Sequence, residues 1–148
     1  MWLGGVGSLE RVAELGIDAA VSLCRLGTLD MPGVAREDHA TFWVVDSAVE
    51  GDNAHAAFVL GEAAAAVERF RAEGKTVLLH CVRAESRTPT VAALYGARVA
   101  RISPIKALED VRRALPNARP NPLFLRLLED SQAAGHHAPT KATAAAAE

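Results

Sequence analysis

TVLLHCVRAESRTPTVAAL, residues 76–94, decides how the rest of the chain is read. Thr76-Val77-Leu78-Leu79 is a short apolar run set off by the Gly74-Lys75 turn. Such a run predicts a strand covered on both faces. His80-Cys81 leads into a polar segment from Val82 to Ser86, and Arg87 precedes Thr88-Pro89. Threonine suits an N-cap and proline the first helical position, so a helix is expected from Thr88. A loop between a buried strand and a helix N-terminus aims backbone N–H groups and the positive end of a helix dipole at one point. An anion fits there, and a cysteine opening that loop is expected to have its thiolate stabilised.

Cys81-x5-Arg87 matches the needs of phosphoryl chemistry. A thiolate can accept a phosphoryl group. Loop N–H groups and a bidentate guanidinium can hold its oxygens through the transition state. Thr88 is placed to hydrogen-bond the sulfur and help it leave. With 2 Cys and 13 Arg in 148 residues, chance supplies about 0.2 such pairs per chain. The spacing alone therefore says little. The strand before it, the adjacent His80 and the helix start after it make the signal specific.

HCVRAESRT resembles the signature loop of cysteine-based protein tyrosine phosphatases, in the dual-specificity-like branch: His-Cys, five residues, Arg, then Ser or Thr. The resemblance runs more loosely from Trp2 to Leu128. It implies a three-layer α/β/α phosphatase fold, a mostly parallel central sheet flanked by helices. It implies hydrolysis of phosphate monoesters through a phosphocysteine, with Cys81 as nucleophile. Val82, Arg83, Ala84, Glu85, Ser86 and Arg87 form the phosphate-binding loop, and His80 and Thr88 support it. No metal or organic cofactor is expected. Two positions depart from the pattern. Ala84 stands where the family commonly has Gly, a residue used for positive φ or close backbone approach. Glu85 adds a negative charge beside a dianion site.

Such a reaction needs a proton donor for the leaving oxygen and then a base for water, and one carboxyl group can serve as both. Residues 41–45, TFWVV, read as a strand. Asp46 ends it, 35 positions before Cys81. The resembling family carries its acid at a similar distance, so Asp46 is the candidate. Asp52 is the rival, expected instead to cap a helix over 52–73, and Glu50 is more remote. Elsewhere, Trp2-Leu3 predict an edge strand, Ser8 caps a helix over 9–15 closed by Gly16, and 17–23 form a strand ending at Cys24-Arg25. Arg25 is expected in solvent, with a place in the phosphate pocket as the alternative. Cys24 is expected as packing, with a protective disulfide to Cys81 as the alternative. Trp43 and Tyr95 are expected in the core, and His39 has no evident partner. Ser103-Pro104 open a further helix, and Asn117 or Asn121 is expected to cap or brace the turn before a last helix over 122–131.

The expected organisation is one catalytic domain, 1–131, and a disordered Ala/Thr tail, 132–148, whose His136-His137 is more readily solvated than metal-bound. Half the residues are apolar and the net charge is −2, which suits a globular domain and disfavours general nucleic-acid binding. No stretch has the length of a membrane span and Met1 to Gly5 lack the plan of a signal peptide, so a cytoplasmic protein is expected. Its partner is expected to be a phosphorylated protein or a small phosphate ester. Two alternatives stay open: a catalytically weak phospho-binding module, and another anion-loop cysteine enzyme such as a sulfurtransferase or arsenate reductase.

Overall fold

The computed structural model describes residues 1–26, 31 and 33–135. Its sheet has four strands: β1 (Trp2–Gly4), β2 (Ala19–Ser22), β3 (His39–Thr41) and β4 (Val77–His80), in the order β1-β4-β2-β3. All pairings are parallel, with Leu79 between Leu3 and Val21. β1 is an edge strand, as expected. Every residue of β2 and β4 is buried, which explains why they are small or apolar up to the polar residues that end them, Ser22 and His80.

Period-two geometry splits the sheet residues between two cores. Ala19, Val21, Val77 and Leu79 pack with Leu60, Val67 and Phe70 of α1 (Ala56–Ala72), Val91 of α2 (Arg87–Ala100) and Phe124 of α4 (Pro122–Gly135). Phe70 and Phe124 are almost fully buried. Each contributes about 1.5–3 kcal/mol of apolar transfer. α3 (Pro104–Ala114) packs outside this layer, joining Ala93, Ala97 and Leu128 through Ala107 and Leu108. Ala20 and Leu78 face the other way, onto Val12, Ile17 and Met31. The second layer is therefore thin. The helix expected over 9–15 is a 3-10 turn, Val6–Arg11, followed by a turn that ends at Gly16 with φ 59°.

The other departures sit near the sheet's C-terminal edge. In TFWVV the strand ends at Thr41; Phe42 N–H still donates to Ser22 O at 2.8 Å, and residues 43–45 leave the ladder. The helix expected from residue 52 starts at Ala56, after a 3-10 turn Glu50–Asp52. α2 begins at Arg87, so Ser86 and not Thr88 holds its N-cap position, without a side-chain cap bond. Ser103 caps α3 as expected, its Oγ accepting from Lys106 N–H at 3.2 Å. α4 continues to Gly135, past the expected tail boundary, and the remainder of the tail with His136-His137 lies outside the described residues. No helix among the described residues is long and apolar enough to cross a membrane.

Candidate active site

All four strands run parallel, so the ends of β2, β3 and β4 and the loops that leave them share one edge. β4 ends at His80. Cys81 is 1% exposed and its N–H donates to Gly4 O at 3.4 Å. From there the loop's carbonyls turn outward to fixed partners. Val82 O accepts from Val6 N–H at 3.0 Å, Glu85 O from Arg119 N–H at 2.5 Å, and Ser86 O from Thr90 N–H and Oγ1 at 3.2 and 2.8 Å. Gly5 lies so close that a Cβ there would meet Val82 O at 2.7 Å. Among the described residues, the N–H groups of Val82, Arg83, Ala84, Glu85 and Ser86 have no internal acceptor. The carbonyls of Val82, Glu85 and Ser86 are thus engaged while the loop amides stay open, an arrangement that suits an anion.

The two departures from the family pattern are both accommodated. Ala84 adopts φ 61°, the left-handed region that glycine enters without cost. The Glu85 carboxylate turns to Arg83 at 3.2 Å, which offsets its charge.

Arg87 is held from one side only. Its Nη1 donates to Leu23 O at 3.2 Å and Val44 O at 2.9 Å, the carbonyls just beyond β2 and in the 43–45 segment. Its buried Nε has no hydrogen-bond partner among the described residues. A buried N–H of this kind is costly unless a ligand supplies the acceptor. Arg87 lines a shallow cleft of 360 Å³ with Cys24, Arg25, Trp43, Val44, Val45 and Asp46. A larger groove of 690 Å³ between β1, α2 and α3 lies away from these groups.

Asp46 is exposed at the cleft, and its Oδ1 accepts from Asn121 Nδ2 at 3.0 Å. The loop behind it is closed by Asn53, whose Oδ1 accepts from Val45 N–H at 2.9 Å and whose Nδ2 donates to Val45 O at 2.8 Å. Asp52 does not line this cleft. Nor is it the helix cap expected from the sequence, since His55 holds that place, exposed. Trp43 is a second correction. It is 68% exposed, with the Arg25 guanidinium 5.0 Å from its ring centroid, so both stand at the rim. Tyr95 is half-buried against the core. Thr88 differs too: its hydroxyl donates to Gly4 O at 3.4 Å in place of the sulfur.

His80 is fully buried, and its surroundings were not visible in the sequence. Ser22 Oγ lies 2.6 Å from His80 Nε2 and 2.8 Å from His39 Nε2, while His80 Nδ1 is 3.4 Å from Cys81 O. One assignment satisfies every group with both rings neutral. His39 donates to Ser22, Ser22 donates to His80, and His80 donates to the Cys81 carbonyl. Burial pushes His80 down to about 4, and lowers His39 as well. Cys24 and Cys81 are both free and buried. Burial pushes the Cys24 thiol up, against the pull of Arg87, and nearby Cys81 adds to the rise.

The parallel sheet, the helical layer and the strand-loop-helix site define a dual-specificity-type α/β phosphatase fold. The structure is similar to human DUSP28, with a TM-score of 0.75 and 28% identity over 90% of this chain and 91% of that one. It is similar to a mouse putative dual specificity phosphatase crystallised with zinc tungstate, with a TM-score of 0.70 and 25% identity over 87% and 77%. DUSP15 shares the fold at a TM-score of 0.73 and 21% identity, over 91% and 84%. In sequence, a 63-residue stretch is 40% identical to human protein phosphatase Slingshot homolog 3. That stretch is 43% of this chain and 10% of the relative. No family model matches the sequence. Fold and signature loop together match the dual-specificity-like branch of the cysteine-based protein tyrosine phosphatase superfamily.

Proposed function

We propose that this protein hydrolyses phosphate monoesters through a phosphocysteine at Cys81. The observation that carries the reading is the state of Arg87. One guanidinium nitrogen is fixed by two carbonyls, while among the described residues the buried Nε lacks an acceptor and five loop amides are unpaired. A tetrahedral oxyanion supplies the missing acceptors. Tungstate, held by the mouse relative, has that shape.

The steps follow from the groups present. The Cys81 thiolate forms the S–P bond as the P–O bond to the leaving group breaks, and Asp46 gives its proton to the departing oxygen. Asp46, now a carboxylate, takes a proton from water as that water attacks phosphorus. The S–P bond breaks, and inorganic phosphate and the thiolate are released. Arg87 and the loop amides hold the equatorial oxygens throughout. His80, fixed by Ser22, orients the Cys81 carbonyl. No step calls on a metal or cofactor. The substrate class is a phosphorylated protein or a small phosphate ester. A working free thiol suits the reducing cytoplasm, where we place the protein.

The competing readings have less support. A binding-only module was suggested by Ala84 and Glu85, yet Ala84 takes the required conformation and Glu85 is turned to Arg83. The structural relatives are phosphatases, which does not favour a sulfurtransferase or arsenate reductase. The test is hydrolysis of para-nitrophenyl phosphate with reductant and EDTA, wild type beside Cys81→Ser. Turnover that survives EDTA, is blocked by vanadate and disappears in Cys81→Ser supports the proposal. Vanadate binding without turnover would leave a phospho-binding module instead.

A further inference from the structure

The connector between α3 and α4 reaches the site at three points, and Asn121 supplies two of them. Arg119 N–H donates to Glu85 O at 2.5 Å. Asn121 N–H donates to Ser86 Oγ at 3.1 Å, and Asn121 Nδ2 donates to Asp46 Oδ1 at 3.0 Å. Its remaining group, Oδ1, accepts from Phe124 N–H at 3.0 Å and caps α4. One residue thus ties the phosphate loop, the carboxyl group at the cleft and the start of a core helix. The anchor is firm at both ends, since Ser86 is 5% exposed and Phe124 is fully buried.

We infer that Asn121 is the positioning residue for proton donation by Asp46. The inference rests on the acid role proposed above for Asp46. Asp46 is exposed and has no other side-chain partner among the described residues, so its rotamer is otherwise unrestrained. A carboxyl free to turn faces the leaving oxygen only part of the time, and misplacement of a catalytic group is costly. The Asn121 amide removes that freedom. It also makes Oδ1 an acceptor, which leaves Oδ2 to carry the proton to the leaving group. Because the same residue holds Ser86, acid and phosphate loop stay in register with each other.

Asn121→Asp is the informative variant. Aspartate keeps an Oδ cap for Phe124 and the main-chain bond to Ser86, but replaces the donor to Asp46 with a like charge. The experiment compares phenyl phosphate with para-nitrophenyl phosphate. The first releases a phenol with pKa about 10 that needs a proton, and the second a far more acidic phenol that needs it less. The expected result is a fall of about ten-fold or more on phenyl phosphate and a much smaller fall on para-nitrophenyl phosphate. In an Asp46→Ala background the same change should shift either rate by less than about two-fold, because coupled residues are not additive. Equal losses on both esters, no loss, or a loss that persists without Asp46 would overturn the inference. Thermal melts of each variant verify folding, with Asn121→Ala as a second variant lacking the added charge. Failure of the phosphatase reading shows separately, as a wild type inert toward both esters.

Discussion

The phosphate loop and the segment carrying Asp46 lie on the same edge of one sheet and are built in opposite ways. The loop is anchored from within. Cys81, Ala84, Ser86 and Thr88 are buried, Val82 and Arg83 stand exposed, and the carbonyls of Val82, Glu85 and Ser86 are hydrogen-bonded. The segment 43–49 is largely exposed, outside the ladder, and held by side chains from elsewhere: Asn53 on Val45, Asn121 on Asp46 and Arg87 on Val44. The contrast separates two tasks. Holding a dianion through bond exchange calls for fixed dipoles that need no reorganisation. Delivering a proton calls for one carboxyl group near solvent, aimed by a few bonds. Arg87 joins the two, because the guanidinium that would hold phosphate also anchors the segment carrying Asp46.

Breaking that joint should have the largest effect. Arg87→Lys keeps the charge but loses the fork, so it gives up both the oxyanion contacts and the pair of carbonyls. The expected loss in kcat/KM is about 10²–10³-fold, read in steady-state hydrolysis. Asp46→Asn tests the segment alone. It should cost about 10²-fold or more on phenyl phosphate, while Asp52→Asn, away from the cleft, leaves the rate nearly unchanged. A larger loss in Asp52→Asn would reassign the acid.

The loop side has its own pH signature. His80 is buried and neutral, with its folded value near 4 against about 6.5 unfolded. Between those values the unfolded chain binds the extra proton, so stability is complete above about pH 6.5 and falls as pH drops toward 4. The full difference is about 3 kcal/mol. Denaturant unfolding of wild type at several pH values should show this loss, and His80→Gln should flatten it. A profile equally steep in His80→Gln would place the titrating group elsewhere. The smallest effect concerns Ala84. Its φ of 61° costs a non-glycine residue about 1 kcal/mol. Ala84→Gly should stabilise the fold by up to that amount in thermal or denaturant melts, with turnover largely kept.

The two regions also differed in how well the sequence announced them. The apolar run of β4, the residue types after it and the Cys81-x5-Arg87 spacing are local signals, and the loop lies where they predict. Only its finer features moved: Ser86 takes the N-cap position of α2 with its side chain given to Asn121, and Thr88 is turned to Gly4. The segment carrying Asp46 is shaped by distant partners that no local pattern records. Arg87 claims Val44 O, and Asn53 spends its side chain on Val45, so α1 starts later than its periodicity suggests. Trp43 has strand chemistry yet stands outside the core on Arg25. The Ser22–His39–His80 chain depends on β2 lying between β3 and β4, which is topology and not local sequence. Asn121 was legible as a brace, though not as a partner of Asp46.

The most direct test of the central claim is to trap the covalent intermediate. Asp46→Asn should still form it from para-nitrophenyl phosphate, whose leaving group needs little protonation, but should hydrolyse it slowly for want of a base. Acid quench followed by intact mass and peptide mapping is predicted to show one added phosphoryl group, on the peptide containing Cys81 and absent in Cys81→Ser. Steady turnover with no adduct, or with the phosphoryl group on another residue, would contradict the account.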